Sequence, residues 1–282
     1  MLRAAAICPP CPVLLPGISG HRDPAGSLRA ASVAAVRRLL DQGCARLVVV
    51  APGESTRTWP RDAPFSTGVF TGAGGPPPEV AMPTSLAVAR HLLELAGWSS
   101  TQGAVSVREA SSAREVSARS AGIPAASVLD SLGLAVSPTD ALVVDAVFQA
   151  VAVDAHPDWC RRLGSELVAG PEPVGLLVMA DGTVDHDLPD PPQPLTEADA
   201  FDEALVRALR EGDPELLGAL DTRLGERWGS CGRVGVAALV GACSAAPRQA
   251  RVTFAEAPFG VFYVVANWEF TLSAEEIRRS GA

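Results

Sequence analysis

The chain has 282 residues, 48% of them hydrophobic and 20% charged, which suits one sizeable buried core and excludes a disordered chain. Its formal net charge is −9 and its isoelectric point is near 5.0, and no arginine cluster is interleaved with aromatics, so nucleic acid is not an expected partner. All 23 basic residues are arginine, a bias we attribute to the coding genome and not to function. The apolar run Leu47–Pro52 is far shorter than the roughly 20 residues that span a bilayer, so no membrane partner is expected. Met1-Leu2-Arg3-Ala4 leads into Pro9 and Pro10 with no signal-peptide pattern. The six cysteines (Cys8, Cys11, Cys44, Cys160, Cys231, Cys243) are too sparse for a disulfide framework. Reduced thiols and a cytoplasmic location are the expectation.

In chain order, Leu2–Cys8 is an apolar run stopped by prolines and predicts a buried first strand. Asp23–Gly43 carries Leu28, Val33, Val36, Leu39 and Leu40 at helical spacing, and Gly43 ends it. The β-branched run Ala45–Ala51 predicts a second strand, completing a βαβ pattern with parallel strands. Pro52–Met82, rich in Gly, Pro, Ser and Thr, reads as a long functional or mobile loop. Pro83 opens a helix running to Trp98, followed by a weaker strand at Ala104–Glu109 and a short helix at Ala125–Leu132. Asp140–Phe148 predicts a strand, His156–Leu167 a helix and Val174–Ala180 another buried strand. After the polar loop Asp181–Thr196 comes a helix at Glu197–Arg210. Asp213 caps a further helix from Pro214, and Gly235–Cys243 is a small-residue helix that suits either internal packing or a dimer seam. Arg251–Phe254 and Val261–Ala266 predict two final strands around Ala257-Pro258-Phe259-Gly260. This alternation argues for a single-domain three-layer α/β/α sandwich over residues 1–282, with a mostly parallel central sheet.

Ligands in such sheets bind beyond the carboxyl ends of strands, which here carry Cys8 to Cys11, Pro52 to Ser55, Asp181 to His186, and the Glu256 turn. Cys8-x-x-Cys11 reads first as two small buried thiols, and second as a redox pair or half a zinc site. His186 stands between Asp185 and Asp187, whose charges suit an acid/base role, though by itself the segment reads first as an ordinary solvated loop. Asp181-Gly182 reads as a strand-end turn before it reads as site lining, while Glu256 reads as pocket lining before solvent-exposed turn. His21, His91 and His156 read as surface or helix-face residues, and Trp59, Trp159, Trp228 and Trp268 as packing. Ser55 and Ser230 sit in no nucleophile elbow, and no dinucleotide or phosphate-loop fingerprint is present.

Four segments together carry a resemblance: Ile7-Cys8-Pro9-Pro10-Cys11-Pro12-Val13-Leu14-Leu15-Pro16, Val48 through Gly53, Val178 through His186, and Phe254 through Tyr263. In this order they resemble the strand-end motifs of the class III extradiol ring-cleavage dioxygenases, the LigB-like catalytic-subunit superfamily. The resemblance implies an α/β oxidoreductase that opens small aromatic or catecholic rings with Fe(II) held by two histidines and one glutamate. It makes Glu256 the carboxylate ligand and His186 the acid/base, but puts Pro10 and Gly53 where the two histidine ligands fall. Neither of those side chains can bind a metal, so Cys8, Cys11, Glu54, Asp181 and Asp185 are the candidates for a rebuilt site, and thiolates there would favour zinc. No cofactor is established by the sequence. Two functions follow: an enzyme working through His186 and Glu256, or a non-catalytic scaffold whose cleft binds a small molecule or a protein partner. A homo-oligomer is left open.

Overall fold

The apolar run Leu2–Cys8 forms strand β1 in the computed structural model, which describes residues 1–18, 23–65, 81–99, 144–184, 195–220 and 232–270. Its alternate residues face opposite layers: Ala4, Ala6 and Cys8 one way, Ala5 and Ile7 the other. A strand buried on both faces needs such an unbroken apolar run, and β2 (Arg46–Gly53) and β5 (Val174–Met179) have it too. The other strands are β3 (Arg57–Trp59), β4 (Asp145–Ala152), β6 (Gln249–Glu256) and β7 (Tyr263–Glu269). They form one mixed sheet in the order β3-β4-β2-β5-β1-β7-β6. The central four are mutually parallel, while β3 at one edge and β7-β6 at the other run antiparallel to their neighbours.

Helices α1 (Gly26–Leu40) and α2 (Thr84–Leu95) cover one face of the sheet through Leu28, Val36, Leu39, Leu86 and Leu92. The other face is covered by α3 (Pro157–Leu167), α4 (Leu195–Glu211), α5 (Pro214–Gly218) and α6 (Arg233–Ala242). The result is the expected three-layer α/β/α sandwich. No described helix is long and apolar enough to cross a membrane.

Several boundaries move for reasons of pairing. The strand expected at Asp140–Phe148 lies at Asp145–Ala152, because its register with β2 runs from Arg46↔Asp145 to Gly53↔Ala152. Gln149 is tolerated inside it: it accepts from the Thr58 hydroxyl at 2.8 Å and donates to the Ala150 carbonyl at 2.7 Å. Within the long loop expected at Pro52–Met82, β3 adds an antiparallel edge to β4. The two last strands are longer than expected, since β6 and β7 pair from Gln249↔Glu269 to Glu256↔Tyr263. The strand expected at Ala104–Glu109 and the helix at Ala125–Leu132 lie outside the described residues.

The small-residue helix α6 packs internally. A Cβ on Gly164 of α3 would sit 1.9 Å from the Ala238 carbonyl oxygen, and one on Gly241 would sit 1.9 Å from the Arg161 oxygen. The two helices therefore touch backbone to backbone, each glycine making room for the other's neighbour. Gly164→Ala should cost about 3 kcal/mol, the upper part of the overpacking range, read as a lowered urea midpoint.

His91, expected on a helix face, is half-buried on α2. Burial, reinforced by Arg29 and Arg90, lowers its imidazole from 6.5 to about 4. The unfolded chain then binds more protons than the folded one between those values, so this contribution to stability is full above pH 6.5 and is lost as pH falls towards 4. Stability measured across that window should decline with acidity, and His91→Gln should flatten the slope.

Candidate functional site

The carboxyl ends of β1, β2 and β5 open into one cleft of about 770 Å³. Pro10, Cys11 and Pro12 line it from the end of β1, Pro52 to Ser55 from β2, and Asp181 with Val184 from β5. Arg57 and Trp59 of β3, Met82 to Ser85 before and at the start of α2, and Tyr263 at the start of β7 complete the walls.

Each of these turns is held from a helix. After β1 the chain makes a short 3₁₀ turn at Pro12–Leu14, with Leu14 N–H bonded to the Cys11 carbonyl at 3.1 Å. Arg29 of α1, 6% exposed, donates to the Val13 carbonyl at 3.0 Å and the Leu14 carbonyl at 3.4 Å, and pairs with Asp23. A buried guanidinium is tolerable only when paired and hydrogen-bonded, and this one spends its donors on the turn that presents Cys11. Ser85 of α2 donates its hydroxyl to the Pro52 carbonyl at 2.5 Å, fixing the end of β2. Beyond β5, Asp202 of α4 accepts from the Thr183 N–H at 3.0 Å and from its hydroxyl at 2.5 Å, with both side chains buried. Gly182 is required there, since a Cβ would lie 2.4 Å from an Asp202 carboxylate oxygen. The same segment is stitched to the β6–β7 turn by Gly182 N–H to the Phe262 carbonyl at 2.7 Å and Phe262 N–H to the Thr183 carbonyl at 2.8 Å.

The cleft brings together Cys11, Glu54 and Asp181, three of the residues singled out in the sequence, with Pro10 and Gly53 beside them. Asp181 accepts from the Gly232 N–H at 3.1 Å, at the amino end of α6, where a carboxylate offsets the helix dipole. Cys11 and the Tyr263 hydroxyl meet at 3.1 Å. Burial raises both groups above their ordinary values, and the nearby Asp181 charge raises both further. Arg57 lays its guanidinium on the Trp59 ring, 4.3 Å from the centroid.

Two expected members are elsewhere. Cys8 does not reach the cleft: it points into the α1–α2 layer, is fully buried, and its thiol is pushed up to about 12 by burial. The strand's period of two separates it from Cys11, which lies past the end of β1. Glu256 is exposed on the edge strand β6, opposite Tyr263, and is not among the lining residues. Asp185 and His186 lie outside the described residues. Trp59, read as packing, forms part of the cleft wall. Tyr263, Asp202 and Arg29 were not singled out as site residues. Asp202 and Arg29 look like solvated helix charges until burial is known.

Ferrous ion, which the resemblance implies, does not fit this donor set. The positions of its two histidines carry a pyrrolidine ring and a hydrogen, and among the described residues no three His, Cys, Asp or Glu side chains converge as a metal site. A side chain at Gly53 would also be crowded, its Cβ 3.1 Å from that of Ala150.

Replacing Arg29 with Met keeps the apolar stem but strands the Val13 and Leu14 carbonyls and Asp23. It should cost about 2 kcal/mol and speed amide exchange at Leu14 and Leu15, read by hydrogen–deuterium exchange.

No family model matches the chain, and no curated protein matches it. Among solved structures it is similar to the crystal structure of an uncharacterised protein from Escherichia coli K12, at 13% identity and a TM-score of 0.45, covering 94% of this chain and 99% of that one.

Proposed function

We propose that this chain is a divergent extradiol-dioxygenase-like protein whose cleft binds a small, largely apolar molecule and does not carry out ferrous ring opening. The observation that carries this reading is the donor set. Pro10 and Gly53 line the very cleft in which the resemblance places two histidine ligands, and Glu256 stands outside it. What remains is a cleft with proline, methionine, valine and tryptophan walls and a few convergent polar groups, the usual make-up of a small-molecule site. The apolar walls would bury the body of a flat ligand, and Cys11, Tyr263 and Asp181 would orient its polar end. The free thiols of Cys8, Cys11, Cys44, Cys160 and Cys243 support a reducing, cytoplasmic setting.

The test is elemental analysis of anaerobically purified protein together with catechol binding and turnover. Binding of catechol at the cleft with neither stoichiometric iron nor ring-opened product is the expected result. Iron near one per chain with ring opening would overturn the proposal in favour of a rebuilt catalytic site.

A further inference from the structure

A cation on the cleft wall has no counter-ion among the described residues. Arg29, Arg61 and Arg90 pair with Asp23, Asp145 and Glu94, and Arg46 donates to the Leu167 carbonyl. Arg57 lines the cleft and, among the described residues, makes neither an ion pair nor a hydrogen bond. Alternation along β3 puts Arg57 and Trp59 on the same face, and pairing with β4 from Arg57↔Ala150 to Trp59↔Phe148 fixes the strand that carries them. The guanidinium lies over the Trp59 ring, a contact that uses the face of the group. Its N–H donors radiate in the guanidinium plane, so stacking leaves them free, in the fork that matches a carboxylate.

The start of α2 adds a field of the same sign. Met82 to Ser85 line the cleft, yet Pro83 gives the helix no capping side chain and its first turn has no acidic residue. The positive end of this 12-residue helix therefore stands at the cleft without an offsetting charge from its own turn. The carboxylate of Glu54 limits what the two can hold, since it lines the same cleft, is exposed and has no partner among the described residues. A singly charged ligand meets a guanidinium and a helix end, whereas a dianion such as a phosphate monoester doubles the repulsion from Glu54. Asp181 is already engaged by the Gly232 N–H and takes no part in this balance.

Taking the cleft as a small-molecule site, as proposed above, we infer that its ligand is an apolar molecule bearing a single carboxylate, which Arg57 takes edge-on from its seat on Trp59. A neutral polar group gains less from the same donors, because it forms no charge-assisted pair. Arg57 is the specificity-determining residue, and Trp59 is the residue that positions it.

Benzoate, benzamide and phenyl phosphate share a ring and differ in charge, and each is titrated into the full chain and followed by amide chemical shifts, with catechol as the reference. Benzoate should move the signals of Ser55, Arg57 and Thr84 and bind about fivefold more tightly than benzamide, with phenyl phosphate weaker than benzoate. Added salt should weaken benzoate and leave benzamide unmoved, because an exposed ion pair is screened. Arg57→Gln, at an exposed edge-strand position, should bring benzoate down to the benzamide level. Thr84→Asp offsets the helix dipole, so it should weaken benzoate about twofold while α2 loses no stability, which separates the effect from unfolding. Equal binding of benzoate and benzamide with catechol still bound, tighter binding of phenyl phosphate, or an Arg57→Gln variant that keeps the preference would overturn the carboxylate assignment and leave the cleft as a ligand site. If none of the four compounds moves the cleft signals, the assignment and the binding function fall together.

Discussion

Four parallel strands buried on both faces leave this molecule no room for polar chemistry except at the strand ends. The backbone of β4-β2-β5-β1 is largely committed to the ladder, and the side chains above and below are mostly alanine, valine, leucine and isoleucine. The chain can carry charge and hydrogen-bonding groups only where it leaves the sheet. Because β1, β2 and β5 are adjacent and parallel, their exits converge on one side, and the cleft follows from that geometry.

The exits are shaped from outside. Arg29 from α1, Ser85 from α2 and Asp202 from α4 each reach a strand-end turn and bond to its backbone or its threonine. These are buried polar side chains whose burial is compensated by loop groups that would otherwise be orphaned. The arrangement ties cleft shape to helix packing. A helix that shifts takes its turn with it, and the backbone-to-backbone contact of α3 with α6 holds the amino end of α6 against Asp181.

In the reading proposed above, the chemistry of the cleft is one of recognition. A thiol, a phenol and a carboxylate line the cleft as a graded series of donors and acceptors, and an arginine stacked on tryptophan lines it too. Raised proton affinity at Cys11 and Tyr263 makes the first a poor nucleophile and the second a durable donor. Under that proposal these groups orient a ligand, and among the described residues no three His, Cys, Asp or Glu side chains converge to hold a metal.

Local sequence determined the elements and the layer architecture. Unbroken apolar runs marked β1, β2 and β5, helical spacing marked α1, α2 and α4, and Asp213 before Pro214 marked the start of α5, which it caps with two hydrogen bonds. The strand-end placement of Cys11, Glu54 and Asp181 was legible for the same reason, since each follows directly on a readable strand. Tertiary structure decided the rest. It put Cys8 in the core and Cys11 in the cleft, though only two residues lie between them, and left Glu256 on an edge strand. It brought Tyr263 to Cys11 from 252 positions away and buried Arg29 and Asp202. Periodicity is a property of neighbours along the chain, whereas these contacts follow from the order in which strands pair across the sheet, which no local pattern records.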